Sequence, residues 1–190
     1  MQNKTFSLTV VSLFASLTSI GAFIKIPLPV VPFTLQILFV FLAGSLLGSK
    51  KGMLSQLLYV GIGIIGVPVF ASGGGPEYIF RPTFGYLIGF IVAAYVIGFI
   101  LERTNGDVFK NLLFANFIGL LIVYVVGVSY LYLALNTWVG TPTSFQAVMM
   151  MGFAYSIVQD LFLVFFASVL AKRLYAFFAK VRIEHRKVAA

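Results

Sequence analysis

The sequence predicts an all-α membrane protein with six transmembrane helices and both termini in the cytoplasm. Three observations carry that expectation. Of 190 residues, 61% are hydrophobic and only 9% are charged, with a mean hydropathy of +1.05. A soluble domain carries about 25% charged residues, so there is too little polar surface here to cover a globule in water. Six apolar runs, several of them short, are separated by proline, glycine or charge, and about 20 apolar residues are needed to cross the hydrocarbon. Finally, the basic residues segregate. With six spans, Lys4, Lys50, Lys51, Arg103, Lys110, Lys172, Arg173, Lys180, Arg182, Arg186 and Lys187 fall on one face and only Lys25 and Arg81 on the other. Cytoplasmic loops carry the excess of Lys and Arg, which places both ends inside.

The first run covers 6–24 and is closed by Pro27, Pro29 and Pro32, since proline cannot continue the helical hydrogen-bond ladder. It has no A-x-A cleavage site and exceeds the 7–15 residues typical of a signal-peptide core, so it reads as a retained helix. The second run, 33–47, ends at Gly48-Ser49-Lys50-Lys51, and the third, 52–67, stops at Pro68. Both are short, which points to tilted, broken or partly re-entrant segments. A glycine-rich loop spans 69–81. The fourth run, 82–101, ends in the polar turn 102–107, and the fifth covers 112–135. A loop at 136–144 precedes the sixth, which begins near Phe145 and continues into a basic tail. No linker, internal repeat or second domain interrupts residues 1–190, which read as one domain. The loops at 25–32, 68–82 and 136–144 are expected outside.

The chemistry of the chain is narrow. It has no cysteine, and its sole histidine, His185, lies in the charged tail. No Walker A loop is present, so the chain carries no ATPase motif of its own. With one acid in the membrane, a zinc site or a paired-carboxylate protease lacks its ligands. No catalytic constellation and no cofactor are therefore expected. The net charge of +8 suggests loop bias and anionic headgroups rather than nucleic acid.

That acid is Asp160, the only one in the run 145–171. An ionised group at membrane depth costs at least ~2.5 kcal/mol on insertion scales, so it faces a cavity or a partner. Tyr155 and Gln159 stand at i, i+4 on the same helix, with Ser156 and Asp160 alongside. Thr34 and Gln36 open the second helix, and Tyr78, Arg81, Thr83 and Tyr86 surround the start of the fourth. Asn136 and Trp138 lie in the last outside loop, and Gln56 and Asn116 sit nearer the cytoplasmic ends. Arg81, at a helix entrance beside glycines, presents a bidentate fork suited to a carboxylate or phosphate. Lys25 and Arg81 also suit headgroup anchoring by snorkelling. For Asp160 itself, a structural pair with a Tyr, Asn or Gln, a proton relay and a ligand contact all remain open.

Small residues mark packing faces. Ser12, Ala15, Ser16, Ser19 and Ala22 form a smooth stripe on the first helix, and Gly44/Gly48 and Gly85/Gly89 repeat the small-xxx-small spacing that lets helices approach in lipid. The glycine pairs read as internal packing, the longer stripe equally as a surface for a partner subunit. The tail 172–187 holds six Lys/Arg against Glu184, which reads as positive-inside anchoring or as contact with a cytoplasmic partner.

Two stretches resemble a known family. Val31-Pro32-Phe33-Thr34-Leu35-Gln36 with Leu42-Ala43-Gly44, and Pro68-Val69-Phe70-Ala71 followed by Pro82-Thr83 and Gly85-Tyr86-Leu87-Ile88-Gly89-Phe90, resemble BioY proteins, the biotin-specific S components of energy-coupling factor transporters. The resemblance implies biotin capture from outside, docking to a transmembrane coupling (T) subunit that carries two ATPases, and residence in a prokaryotic plasma membrane. It implies that the stripe on the first helix is the docking surface. It further implies that Asp160 accepts ureido N–H groups, that Gln159 or Tyr155 serves the ureido oxygen, and that Phe and Trp side chains cover the bicycle. Arg81 would pair with the valerate, and the loops at 25–32 and 68–82 would act as lids. Thr34, Gln36, Tyr78 and Tyr86 complete the expected site. One place departs: many relatives carry a lysine three residues after the acid, where this chain has Leu163. Two other classes stay open, a proton-coupled secondary carrier that uses Asp160 as its relay and a membrane scaffold without a saturable ligand.

Overall fold

The computed structural model describes residues 4–26 and 31–188, with side chains as far as 176. Pro27 and Pro29, and the side chains of Lys180, Arg182, Glu184, His185, Arg186 and Lys187, lie outside the described residues. Helix α1 is Lys4–Phe23, α2 Gln36–Leu47, α3 Ser49–Ile64, α4 Phe84–Leu101, α5 Val108–Asn136, α6 Phe145–Met149 and α7 Ile157–Val188. A π-helical turn at Met150–Ala154 joins α6 to α7, so these two make up the sixth apolar run. Among the described residues, four segments have the length and apolar composition to cross a membrane: α1, α4, α5 and the α6–α7 run. Helices α2 and α3, with 12 and 16 residues, reach only about 18 and 24 Å at 1.5 Å per residue, against roughly 30 Å of hydrocarbon.

The boundaries differ from the sequence expectation for local reasons. Phe33 and Thr34 do not join α2. They pair antiparallel with Ile26 and Lys25 in a two-stranded hairpin. Gly48 has φ +80, a conformation open to glycine without strain, and it turns the chain directly from α2 into α3. Ser49 then donates from its amide and its hydroxyl to the Glu102 carboxylate, at 2.8–3.0 Å. An acceptor at these free amides caps the helix start, so Lys50 and Lys51 fall in the first turn of α3 rather than in a loop. Helix α3 ends at Ile64, ahead of Gly66 with φ +115, and not at Pro68. Asp107 caps α5 by accepting from the amides of Phe109 and Lys110, which starts that helix four residues before the apolar run.

The bundle closes through glycine. A Cβ on Gly85 would lie 2.2 Å from Tyr130 Cβ, and one on Gly89 would lie 3.0 Å from Val123 Cα, so α4 and α5 meet backbone to backbone. Gly44 approaches the Ala94 carbonyl in the same way. These pairs are internal packing. Buried polar bridges add direction to the apolar contacts. Ser45 donates to Asn116, which donates to Ser168, joining α2, α5 and α7. Gln56 donates to Thr18, joining α3 to α1. Gln56 and Asn116, possible ligand groups by sequence, thus hold helices together. On α1 the small-residue stripe divides: Ala15 and Ala22 are buried in the bundle, whereas Ser12 and Ser16 are exposed and Ser19 is half-buried.

An equally tight approach, against backbone, is at Gly98, where a Cβ would lie 2.2 Å from the Ser49 amide nitrogen. Overpacking of this kind costs about 1–3 kcal/mol. Gly98→Ala should therefore lower the thermal unfolding midpoint of the detergent-solubilised protein; an unchanged midpoint would show that α3 and α4 are not held at this distance.

Candidate functional site

One cavity sits at the end of the bundle that carries the Lys25–Thr34 hairpin and the glycine-rich loop. Four helical elements and both loops build it. Gln36 and Ile37 come from α2; Tyr86, Leu87 and Phe90 from α4; Val123 and Tyr124 from α5; Gly152, Ser156 and Asp160 from the π-turn and α7. Val31, Pro32, Phe33 and Thr34 from the hairpin, with Ala71, Tyr78 and Thr83, form the loop side. The space open to water centres is about 70 Å³. By that measure one water needs about 10–15 Å³, so the cavity holds several waters or a small organic group.

The lining is mostly apolar, and among the described residues Asp160 is its only carboxylate and no Lys or Arg lines it. Asp160 is 7% exposed. The Tyr124 hydroxyl donates to its Oδ2, while Oδ1 accepts no hydrogen bond from the described residues. One turn earlier, just ahead of α7, Ser156 is buried and its Oγ has no partner among the described residues. A buried hydroxyl without a partner is uncommon and calls for a reason. The two groups share a stripe at i, i+4, and the Asp160 amide donates to the Ser156 carbonyl at 3.0 Å.

The π-turn sets this stripe. Within it the Tyr155 amide donates to the Met150 carbonyl, five residues back. Such wide turns are frequent at functional sites. The Tyr86 hydroxyl donates to the Gly152 carbonyl at 2.7 Å, pinning the turn against α4. A side chain at 152 would collide with that hydroxyl, with a Cβ only 2.6 Å away.

On the loop side, Thr34 donates to Gln36 Oε1 at 2.9 Å, Gln36 donates to the Tyr59 hydroxyl at 2.6 Å, and Tyr59 donates to the Val69 carbonyl at 3.3 Å. This chain ties the hairpin, α2, α3 and the loop together. Lys25 Nζ donates to the Ala71 carbonyl, a second tie between the two loops. Tyr78 packs on Phe70, with ring centroids 4.5 Å apart.

Of the residues singled out from sequence, Asp160, Tyr86, Thr34, Gln36 and Tyr78 converge on this cavity. Tyr155 and Gln159 do not. Each helical residue advances about 100°, so the stripe next to Ser156 and Asp160 turns away from the bundle. Tyr155 is 55% exposed and Gln159 is also exposed, which withdraws both as cavity groups. Trp138 is bonded to the Phe80 carbonyl and is likewise outside the lining. Asn136 accepts from the Thr143 amide and closes the last loop. Arg81 is exposed in an adjoining crevice with Pro32, Ser72, Pro82 and Thr83. Its guanidinium lies 5.0 Å from the Tyr78 ring centroid, within cation–π range. Pro32 and Thr83 line both spaces, so Arg81 stands beside the cavity rather than in it. Leu163 is buried in the core, outside the lining. Sequence reasoning missed Tyr124. Its signal was a polar-tipped aromatic in the middle of an apolar helix, facing the only acid at that depth.

With this geometry in hand, similarity to known proteins becomes informative. A profile of the BioY family matches residues 1–180. A probable biotin transporter BioY of Lysinibacillus sphaericus is 54% identical over 181 residues, covering 95% of this chain and 92% of that protein. The biotin transporter BioY of Thermotoga maritima is 40% identical over 163 residues, 85% and 91% of the two chains. The crystal structure of the S-component for biotin from an ECF-type ABC transporter superposes with a TM-score of 0.79 at 26% identity, covering 93% of this chain and 95% of that one.

The Tyr124–Asp160 contact can be weighed directly. A hydrogen bond to a charged group contributes about 1.5–3 kcal/mol. A double-mutant cycle of Tyr124→Phe with Asp160→Ala, followed by thermal unfolding, should give a coupling of that size. Additive effects would mean that the contact holds nothing in place.

Proposed function

The chain belongs to the BioY family, and from that membership and the cavity's chemistry we propose that it captures biotin from outside and delivers it inward as the S component of an energy-coupling factor importer. The observation that carries the reading is Asp160, which accepts one hydrogen bond from the described residues, at Oδ2, beside a Ser156 hydroxyl without a partner among them, in a mostly apolar cavity.

Biotin's ureido ring offers two N–H donors and a carbonyl, on an apolar bicycle with a thioether. Asp160 Oδ1 accepts a ureido N–H as a charge-assisted bond, stronger than a neutral one. Ser156 Oγ donates to the ureido oxygen or accepts from the second N–H. These two replace Tyr155 and Gln159 in that role. Phe33, Ile37, Leu87, Phe90 and Val123 cover the bicycle. The valerate extends past Tyr78 and Thr83 to the crevice, where Arg81 pairs with the carboxylate. Thr34 and Gln36 brace the hairpin that closes over the ring, and Tyr86 sets the π-turn.

Both termini are assigned to the cytoplasm by the distribution of basic residues, which turns the cavity outward in the plasma membrane of a prokaryote. ATP hydrolysis belongs to partner subunits: a coupling subunit with two ATPases. The exposed Ser12 and Ser16 on α1 form the proposed docking surface, with Ser19 at its margin; Ala15 and Ala22 support it from behind.

Asp160→Asn should weaken biotin binding by about 1.5–3 kcal/mol, the range for a lost charge-assisted hydrogen bond. Calorimetry of the purified variant reads this, and full retention of affinity would remove Asp160 from the site. Arg81→Ala should lose more affinity for biotin than for biotin amide. Equal losses for the two ligands would detach Arg81 from the valerate.

A further inference from the structure

Away from the cavity, α5 and α7 leave a groove along their outer faces, lined by Lys110, Leu113, Phe114, Phe117, Leu161, Val164 and Phe165. It is open to the surroundings, with about 510 Å³ of space for water centres. Its polar character lies at one end. Lys110 stands there, exposed in the first turn of α5. Phe109 packs edge-to-face on Phe165, with centroids 6.0 Å apart, and Lys172 Nζ lies 5.4 Å from the Phe109 centroid. Two ammonium groups thus share the same end of an otherwise apolar groove. The nearby carboxylate, Asp107, is engaged by the amides of Phe109 and Lys110; it also lies within electrostatic reach of both lysines and offsets part of their charge, leaving the end of the groove net positive. The face is remote from α1, which packs on α2 and α3.

We propose that this groove binds an anionic phospholipid. Its acyl chain lies against Phe117, Leu161 and Val164, and its headgroup phosphate sits between Lys110 and Lys172. Charge complementarity selects this occupant. An apolar partner helix would leave the charge of two lysines, only partly offset by Asp107, unanswered at its end, whereas a basic notch between transmembrane helices on the cytoplasmic side suits an anionic headgroup. The proposal does not depend on what the cavity carries.

The test is lipid retention by native mass spectrometry, after the full chain is purified and exchanged into micelles of mixed phosphatidylglycerol and phosphatidylcholine. The protein should keep one phosphatidylglycerol in preference to phosphatidylcholine by roughly 30-fold, as expected for two lysines each contributing the usual amount near an anionic surface. Lys110→Gln with Lys172→Gln should bring that preference close to one. Leu161→Trp should displace the lipid by filling the groove. Lys50→Gln, on α3 and outside the groove, should change nothing. An unchanged preference in the double variant, or an equal loss in Lys50→Gln, would overturn the assignment. A change of oligomeric state in Leu161→Trp without loss of lipid would also overturn it, in favour of a second copy on this face.

Discussion

A carboxylate inside a membrane bundle needs more than one donor, and the described residues supply only one. Tyr124 donates to Asp160 Oδ2, while among the described residues Oδ1 accepts no hydrogen bond and the neighbouring Ser156 hydroxyl has no partner. Much of the fold converges on that incomplete pair. The π-turn sets its azimuth, Tyr86 pins the turn through Gly152, and the close approach of α4 to α5 at Gly85 and Gly89 brings Tyr86 and Tyr124 to the same cavity. The polar chain from Thr34 to Val69 holds the loops above it. A low-polarity enclosure strengthens any hydrogen bond made there and raises the penalty for leaving one unmade. A ligand with two N–H donors and a carbonyl on an apolar body matches this arrangement; a bare ion or a purely apolar solute does not.

The same frame separates recognition from transport. The cavity lies among α2, α4, α5 and α7, whereas α1 packs on α2 and α3 and leaves Ser12 and Ser16 exposed. In the proposed assembly, ligand and coupling subunit therefore approach different faces. Helix α2 borders both, through Gln36 in the cavity and its packing on α1. Two other polar bridges, Ser45–Asn116–Ser168 and Gln56–Thr18, fasten the rest of the bundle.

Much of the architecture was legible in the sequence because lipid imposes a simple rule. Long apolar runs become helices, and proline, glycine and charge punctuate them. What escaped that rule was local. Two-residue strands at Lys25–Ile26 and Phe33–Thr34 have no readable period, and the ends at Gly66 and Asp107 depend on backbone angle and capping rather than hydropathy. The site was legible in part for the same reason. A lone acid at membrane depth announces itself, and Tyr86, Thr34, Gln36 and Tyr78 stand in motifs at helix entrances. Azimuth was not legible. Adjacent positions on α7 look equivalent as polar residues, yet about 100° separates Gln159 in the surroundings from Asp160 in the cavity. Nor did Tyr124 stand out, because its partner lies 36 residues away.

The most direct measurement is the structure of this protein with biotin bound. The account predicts a ureido nitrogen about 2.7–3.0 Å from Asp160 Oδ1, the Ser156 hydroxyl on the same ring, and the valerate directed past Tyr78 toward Arg81. A ureido ring placed away from Asp160, with that oxygen still without a donor from the ligand, would contradict it.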